Sequence, residues 1–64
     1  MDEALVLKEV ILNSGKTVHI NFPDEEHLEE MVRIITVLEE KRLIKVLVLQ
    51  KIRRNRLKIK AQIA

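Results

Sequence analysis

Hydrophobic and polar positions in the first third of the chain predict a β-hairpin. Residues Ala4 to Leu12 are rich in Leu, Val and Ile, and Thr17 to Phe22 alternate between apolar and polar side chains. Between them, Asn13 to Lys16 form a typical turn sequence in which Gly15 can adopt a positive φ. Because the apolar positions of the first strand change parity, we expect a β-bulge near residues 8–9.

The middle of the chain predicts one amphipathic helix. Pro23 ends the preceding strand, and Asp24 is a suitable N-cap for a helix that extends to about Lys41. Apolar residues recur at spacings of three and four, which indicates one buried face: Leu28, Met31, Val32, Ile35 and Leu38.

The last third predicts a second hairpin, with strands at Ile44 to Ile52 and Leu57 to Ile63. A two-residue turn at residues 54–55 would pair Arg53 with Arg56 and, in an unbroken register, Lys51 with Lys58. This register collects most of the apolar side chains on one face, and a slip by one residue would scatter them.

Together these elements predict a single α+β domain over residues 1–64, with the order ββαββ. Its four-stranded sheet would consist of two hairpins, and the helix would pack on one face. The order of elements is similar to that of the β-grasp fold, and the similarity is confined to this order. At this length, marginal stability would favour good packing or self-association.

Charge is divided unevenly along the chain. Residues 41–64 contain nine bases and no acid, whereas residues 1–40 contain ten acids and three bases. Like charges that face each other across a hairpin are destabilising, so they indicate an anionic partner. Phe22, the only aromatic residue, is expected in the core, which leaves no platform for stacking single-stranded bases. We therefore predict contacts with the phosphates of duplex DNA by six bases on the second hairpin: Lys51, Arg53, Arg54, Arg56, Lys58 and Lys60.

Surplus apolar residues predict a homodimer. A single helix covers one face of a four-stranded sheet, and apolar side chains outside that contact commonly mark an interface. Four residues fall outside the predicted core in this way: Ile34, Val37, Leu47 and Leu49.

Other functional classes have little support in the sequence. The chain has no cysteine, and His19 and His27 lack the convergent partners that a metal site needs. No catalytic residues, cofactor motif or small-molecule substrate site can be assigned, so we do not expect an enzyme. The longest apolar run is too short to span a membrane, and the N-terminus has no signal-peptide layout, which predicts a cytoplasmic protein.

The leading hypothesis is a small homodimeric DNA-binding protein with a regulatory or architectural role, which uses its basic C-terminal hairpin. One alternative is a protein-interaction or assembly module in which the acidic helix of one chain meets the basic hairpin of another. A second alternative is an engineered fold without evolved activity.

Overall fold

In the part of the chain that the structure describes, the sheet has three strands, and two helices pack against it. The computed structural model describes residues 2–64. The strand order is β1-β3-β2, and β3 is antiparallel to both of its neighbours. The predicted four-stranded ββαββ fold is therefore wrong, because the observed order is αβαββ. The elements are α1 (Glu3–Leu12), β1 (Thr17–Asn21), α2 (Glu25–Glu40), β2 (Ile44–Arg53) and β3 (Arg56–Ile63).

The first element is a helix, α1, where the sequence predicted a strand. Asp2 caps its N-terminus, with the backbone N–H of Leu5 donating to Asp2 Oδ1 at 2.9 Å. Val6 and Val10, one helical turn apart, are its buried residues. The change of parity that suggested a bulge at residues 8–9 is the consequence of this helical period.

A tight turn connects α1 to β1 and holds β1 beside β3. Gly15 has the predicted positive φ, at 79°, and its N–H donates to the carbonyl of Ala61 at 2.9 Å. Ser14 Oγ accepts a hydrogen bond from the N–H of Ile63 at 3.2 Å. These two contacts attach the turn to the end of β3.

The second helix is confirmed, together with its N-cap. Asp24 Oδ1 accepts the backbone N–H of His27 at 2.9 Å. At the C-terminus, Arg42 adopts a φ of 61°, and the N–H of Leu43 donates to the carbonyl of Leu38 at 3.0 Å. This left-handed cap usually contains glycine, and it explains how the helix ends without one.

The second hairpin has the predicted turn and a different register. Arg53 pairs with Arg56, but Lys51 pairs with Leu57, so the predicted pairing of Lys51 with Lys58 is wrong. The register shifts between Lys51 and Arg53 and again between Val46 and Val48. Each bulge adds one residue to β2 and reverses which side chains face the helices.

The core lies between the sheet and the two helices. An ion pair between Lys41 Nζ and Glu3 Oε1, at 2.8 Å, joins the end of α2 to the start of α1. The two helices are therefore neighbours on the same side of the sheet. The buried residues are Val6, Val10, Phe22, Leu28, Met31, Ile35, Leu38, Ile44, Leu57, Ile59 and Ala61.

Candidate nucleic-acid interface

The central strand β3 presents two chemically different faces. Leu57, Ile59 and Ala61 are buried beneath the helices. The residues between them alternate onto the opposite side, which no helix covers. We call that side the open face. From the alternation and the strand register, it contains Thr17, His19, Asn21, Lys45, Val48, Gln50, Arg53, Arg56, Lys58, Lys60 and Gln62.

Bases occupy the middle of the open face, and uncharged residues border them on the side of β1. Lys58 lies between His19 on β1 and Gln50 on β2. Lys60 lies between Thr17 and Val48. Residues opposite each other in antiparallel strands have Cβ atoms about 5 Å apart. The ammonium groups of β3 therefore have no acid and no other lysine or arginine opposite them across the strands.

Like charges meet at the hairpin end of the open face. Arg56 lies opposite Arg53 on β2 and opposite Asn21 on β1. Within residues 2–64, the open face contains no acidic residue and none of its bases belongs to an ion pair. A cluster of one sign raises the local concentration of counter-ions, here of anions.

The turn at the end of the hairpin is fixed against β1. The N–H of Phe22 donates to the carbonyl of Asn55 at 2.7 Å, and Asn55 Nδ2 donates to the carbonyl of Phe22 at 3.0 Å. Arg54, the other turn residue, is exposed. Arg54 is thus presented at the end of the sheet by a turn that two hydrogen bonds hold against the end of β1.

Lys51 lies on the face covered by the helices, in contrast to the other five predicted bases. Its Nζ donates to Glu25 Oε2 at 2.6 Å and to Glu29 Oε1 at 3.0 Å. These hydrogen bonds raise the pKa of Lys51, and the bond to Lys51 lowers the pKa of Glu25. Lys51 is therefore an intramolecular partner of α2, because the bulge between Lys51 and Arg53 reverses its direction.

Lys45 belongs to the open face and was missed by the sequence prediction. It pairs with Gln62 at the opposite end of the sheet from the hairpin turn. It is separated in sequence from the basic cluster around the turn, so only the register of β2 against β3 brings it onto the same surface.

The residues predicted for a dimer interface do not form one surface. At about 100° per residue, Ile34 lies on the same flank of α2 as Lys41, which contacts α1 through Glu3. The opposite flank lies beside β2, where Glu39 Oε2 accepts the N–H of Val46 at 2.9 Å. The helix α2 therefore separates Ile34 from β2.

The remaining three predicted interface residues are partly exposed. Leu47 lies in a bulge of β2 and is 43% exposed, and Leu49 is 38% exposed. Val37 is 36% exposed on α2, whereas Ile34 is half-buried and packs against the core. The three exposed residues are therefore divided between α2 and β2.

Other sites have no support in the described part of the chain. Among residues 2–64, no three metal-binding side chains converge. His27 Nδ1 lies 2.7 Å from Asp24 Oδ1, a hydrogen bond that raises the pKa of His27 and lowers that of Asp24. This pair belongs to the cap of α2. Neither described helix is long and apolar enough to cross a membrane.

The open face is thus a basic, largely polar surface of five strand bases, with Arg54 at its end. Its side chains are positioned by the register of the sheet and by the turn contacts described above. Comparison of the chain with protein-family models, with curated proteins and with solved structures finds no match.

Proposed function

We propose that the protein binds duplex nucleic acid by contacting phosphates with the open face of its sheet. The observation that carries this proposal is the placement of five bases, without an acid, on one side of a small sheet: Lys45, Arg53, Arg56, Lys58 and Lys60. Lysine and arginine contacts with phosphates supply most of the sequence-independent affinity for nucleic acids.

The energetics of the open face support an anionic ligand. Lys58 and Lys60 are two residues apart on one strand, a spacing of about 6.8 Å. Arg53 and Arg56 face each other directly, an arrangement that is destabilising in the absence of a counter-charge. A row of phosphates would neutralise these charges while the neutral residues of β1 remained at its border.

The form of nucleic acid follows from the absence of exposed aromatic rings. Single-stranded nucleic acids bind to platforms on which successive bases stack. The chain has one aromatic residue, Phe22, and it is buried beneath the helices with 8% of its surface exposed. A duplex, read through its backbone, is therefore the ligand that this surface fits better.

The broader setting of this function remains a prediction. A regulatory or architectural role, a cytoplasmic location and the absence of enzymatic activity are inferred from the sequence. An assembly module, in which the open face meets an acidic surface of another copy, is the competing function. It predicts salt-sensitive self-association that added duplex does not change.

The test is a salt titration of binding to a fluorescently labelled duplex, measured by anisotropy. The double variant Lys58→Gln/Lys60→Gln removes two proposed phosphate contacts, while Lys51→Gln removes one base of the same hairpin on the opposite face. We expect the double variant to lose about 1.8 units of slope in log K against log salt. Lys51→Gln should keep the slope of the unmodified protein.

Two results would contradict the proposed function. One is an absence of binding at low salt. The other is an equal loss of affinity in Lys51→Gln and in the double variant, which would mean that binding depends on the total charge of the hairpin. Circular dichroism of each variant checks that the fold is retained.

A further inference from the structure

The two outer edges of the sheet differ in how they are protected. On β2, the carboxylate of Glu39 accepts the backbone N–H of Val46 at 2.9 Å. The same strand has register shifts between Val46 and Val48 and between Lys51 and Arg53. Side-chain capping and bulges both prevent another strand from pairing with an edge. The edge of β2 is therefore a poor site for strand addition.

The edge of β1 lacks these devices within the described strand. Its register against β3 is continuous from Thr17 to Asn21. The N–H of Phe22 donates to Asn55 on the β3 side, so by alternation the backbone groups of Thr17, His19 and Asn21 point away from β3. In the described chain, no hydrogen bond occupies these outward groups. They form a short, regular template for an added strand.

An apolar groove of about 360 Å³ runs beside this same edge. Its floor contains Val18 and Ile20 of β1, and its wall contains Leu5 of α1, which is 58% exposed. Leu12, at the other end of α1, is 62% exposed. The side chains of an added strand would thus meet apolar surface on the helix-covered side of the sheet.

The charge of this region favours a second copy of the chain as its occupant. In an interface about a two-fold axis, a surface patch faces the same patch of the other copy. A patch with charges of one sign would therefore repel its copy. The open face has five bases and no acid, and Glu25, Glu26 and Glu29 make the start of α2 acidic. The groove has one acid, Glu9, and one base, Lys16. With one charge of each sign, the groove lets two copies meet with less like-charge repulsion than the open face or the start of α2 would.

We propose that two copies pair through antiparallel β1 strands about a two-fold axis at His19, with the α1 helices meeting above the seam. The outward groups are arranged symmetrically about His19, so Thr17 would pair with the partner's Asn21. Val18 would lie beside the partner's Ile20 on the apolar side. On the open face, Thr17, His19 and Asn21 would meet their counterparts at the seam, since the lysines and arginines lie further away, on β3 and β2.

The pairing has a consequence for nucleic-acid binding, and this consequence alone rests on the proposed function. Both open faces would lie on the same side of one continuous sheet. The two β3 strands would be three strand spacings apart, or about 14 Å. This separation is similar to the width of the major groove, about 12 Å, so the rows of bases could follow the phosphates on its two sides.

The test is sedimentation velocity over a wide range of protein concentration, without nucleic acid. Leu5→Glu places a charge in the groove and should raise the dimer dissociation constant about tenfold or more. Leu49→Glu is the matched control, because Leu49 is also an exposed leucine but lies on β2. It should change the dissociation constant by less than about twofold.

Hydrogen exchange provides a readout of the strand pairing itself. The amides of Thr17, His19 and Asn21 should be protected at high protein concentration and exchange freely in Leu5→Glu. The inference is overturned if the unmodified protein remains monomeric, or if Leu49→Glu dissociates the dimer while Leu5→Glu does not. A monomer whose β1 edge pairs with a peptide of another protein also overturns it. Because nucleic acid is absent, these results are independent of the duplex-binding test.

Discussion

Lys51 and Lys58 belong to the same hairpin and have opposite environments. The ammonium group of Lys51 is bonded to Glu25 and Glu29 of α2. Lys58 lies on the open face between His19 and Gln50. The difference arises from the direction of each side chain relative to the sheet, since both residues are lysines and lie only seven positions apart in the sequence. A basic residue is available to a ligand only when the fold provides no carboxylate beside it.

The two faces also differ in what their residues contribute to the fold. On the helix side, Leu57 is 1% exposed and belongs to the core. Its neighbour in sequence, Lys58, is half-buried between strands and contacts no helix-borne acid among the described ion pairs. The helix-covered face therefore contributes the apolar core, whereas no helix covers the open face.

The largest expected effect compares these two adjacent residues by truncation. Leu57→Ala should lower the free energy of unfolding by about 2–5 kcal/mol, because it removes packed methyl groups and leaves a cavity. Lys58→Ala should change it by less than about 0.5 kcal/mol. Urea unfolding followed by circular dichroism measures both values.

A large loss of stability in Lys58→Ala would contradict the claim that the open face contributes little to the free energy of unfolding. It would mean that the open face is part of the stabilising core of the molecule. Should Leu57→Ala fail to fold, Leu57→Val provides a milder truncation, and the expected order of the two positions stays the same.

A smaller effect concerns pH and Lys51. Because the pKa of Glu25 is lowered, its contribution is present above its ordinary value of 4.5 and is lost as the pH falls through the lower pKa of the folded state. The raised pKa of Lys51 makes its contribution present below its ordinary value of 10.5, and this is lost as the pH rises through the folded pKa. The difference in stability between the protein and Lys51→Ala should be constant between these two ordinary values and shrink outside them.

The effect should be small, because both partners are exposed and solvent screens their attraction. Thermal unfolding of the protein and of Lys51→Ala across the pH range measures it. The matched control is Lys45→Ala, which removes a β2 lysine without an ion-paired carboxylate in the described chain. An equal pH dependence in both variants would contradict the assignment of Lys51 to α2.

The parts of the fold that the sequence predicts well have strong local signals. Asp24 caps α2 as expected, and the apolar spacing from Leu28 to Leu38 identifies its buried face. The turn at residues 54–55 and the positive φ of Gly15 are also confirmed. In each case, a short-range steric or hydrogen-bonding preference determines the local backbone.

The first element shows where local pattern is insufficient. Its apolar residues fit a strand only if a β-bulge is added. A regular helix that is capped by Asp2 and buries Val6 and Val10 fits the same residues without a bulge. An N-cap at the second residue is the signal that could have identified the helix. The tertiary fold decides between the two, because Val6 and Val10 of α1 are buried in the core against the sheet.

The sequence predicted most of the bases of the candidate site, but it did not predict correctly on which face of the sheet each base lies. Five of the six predicted bases lie on the open face or at its turn, and Lys51 does not. No glycine or other residue typical of a bulge lies between Lys51 and Arg53. The alternation of apolar and polar residues alone therefore cannot predict the register of β2 against β3. Lys45 was missed for a different reason, because it is separated in sequence from the cluster of bases around the turn.

The most direct test of duplex binding by the open face follows side-chain amide signals by NMR while a short DNA duplex is added. Gln50 and Gln62 lie on the open face, and their side-chain NH₂ signals should shift with increasing duplex. Asn13, whose Nδ2 donates to the carbonyl of Glu9 at 2.9 Å beside α1, serves as the internal reference. We predict that the signals of the two glutamines shift while the signal of Asn13 stays unchanged. A shift at Asn13 with both glutamines unchanged would contradict the proposal that the open face contacts the duplex.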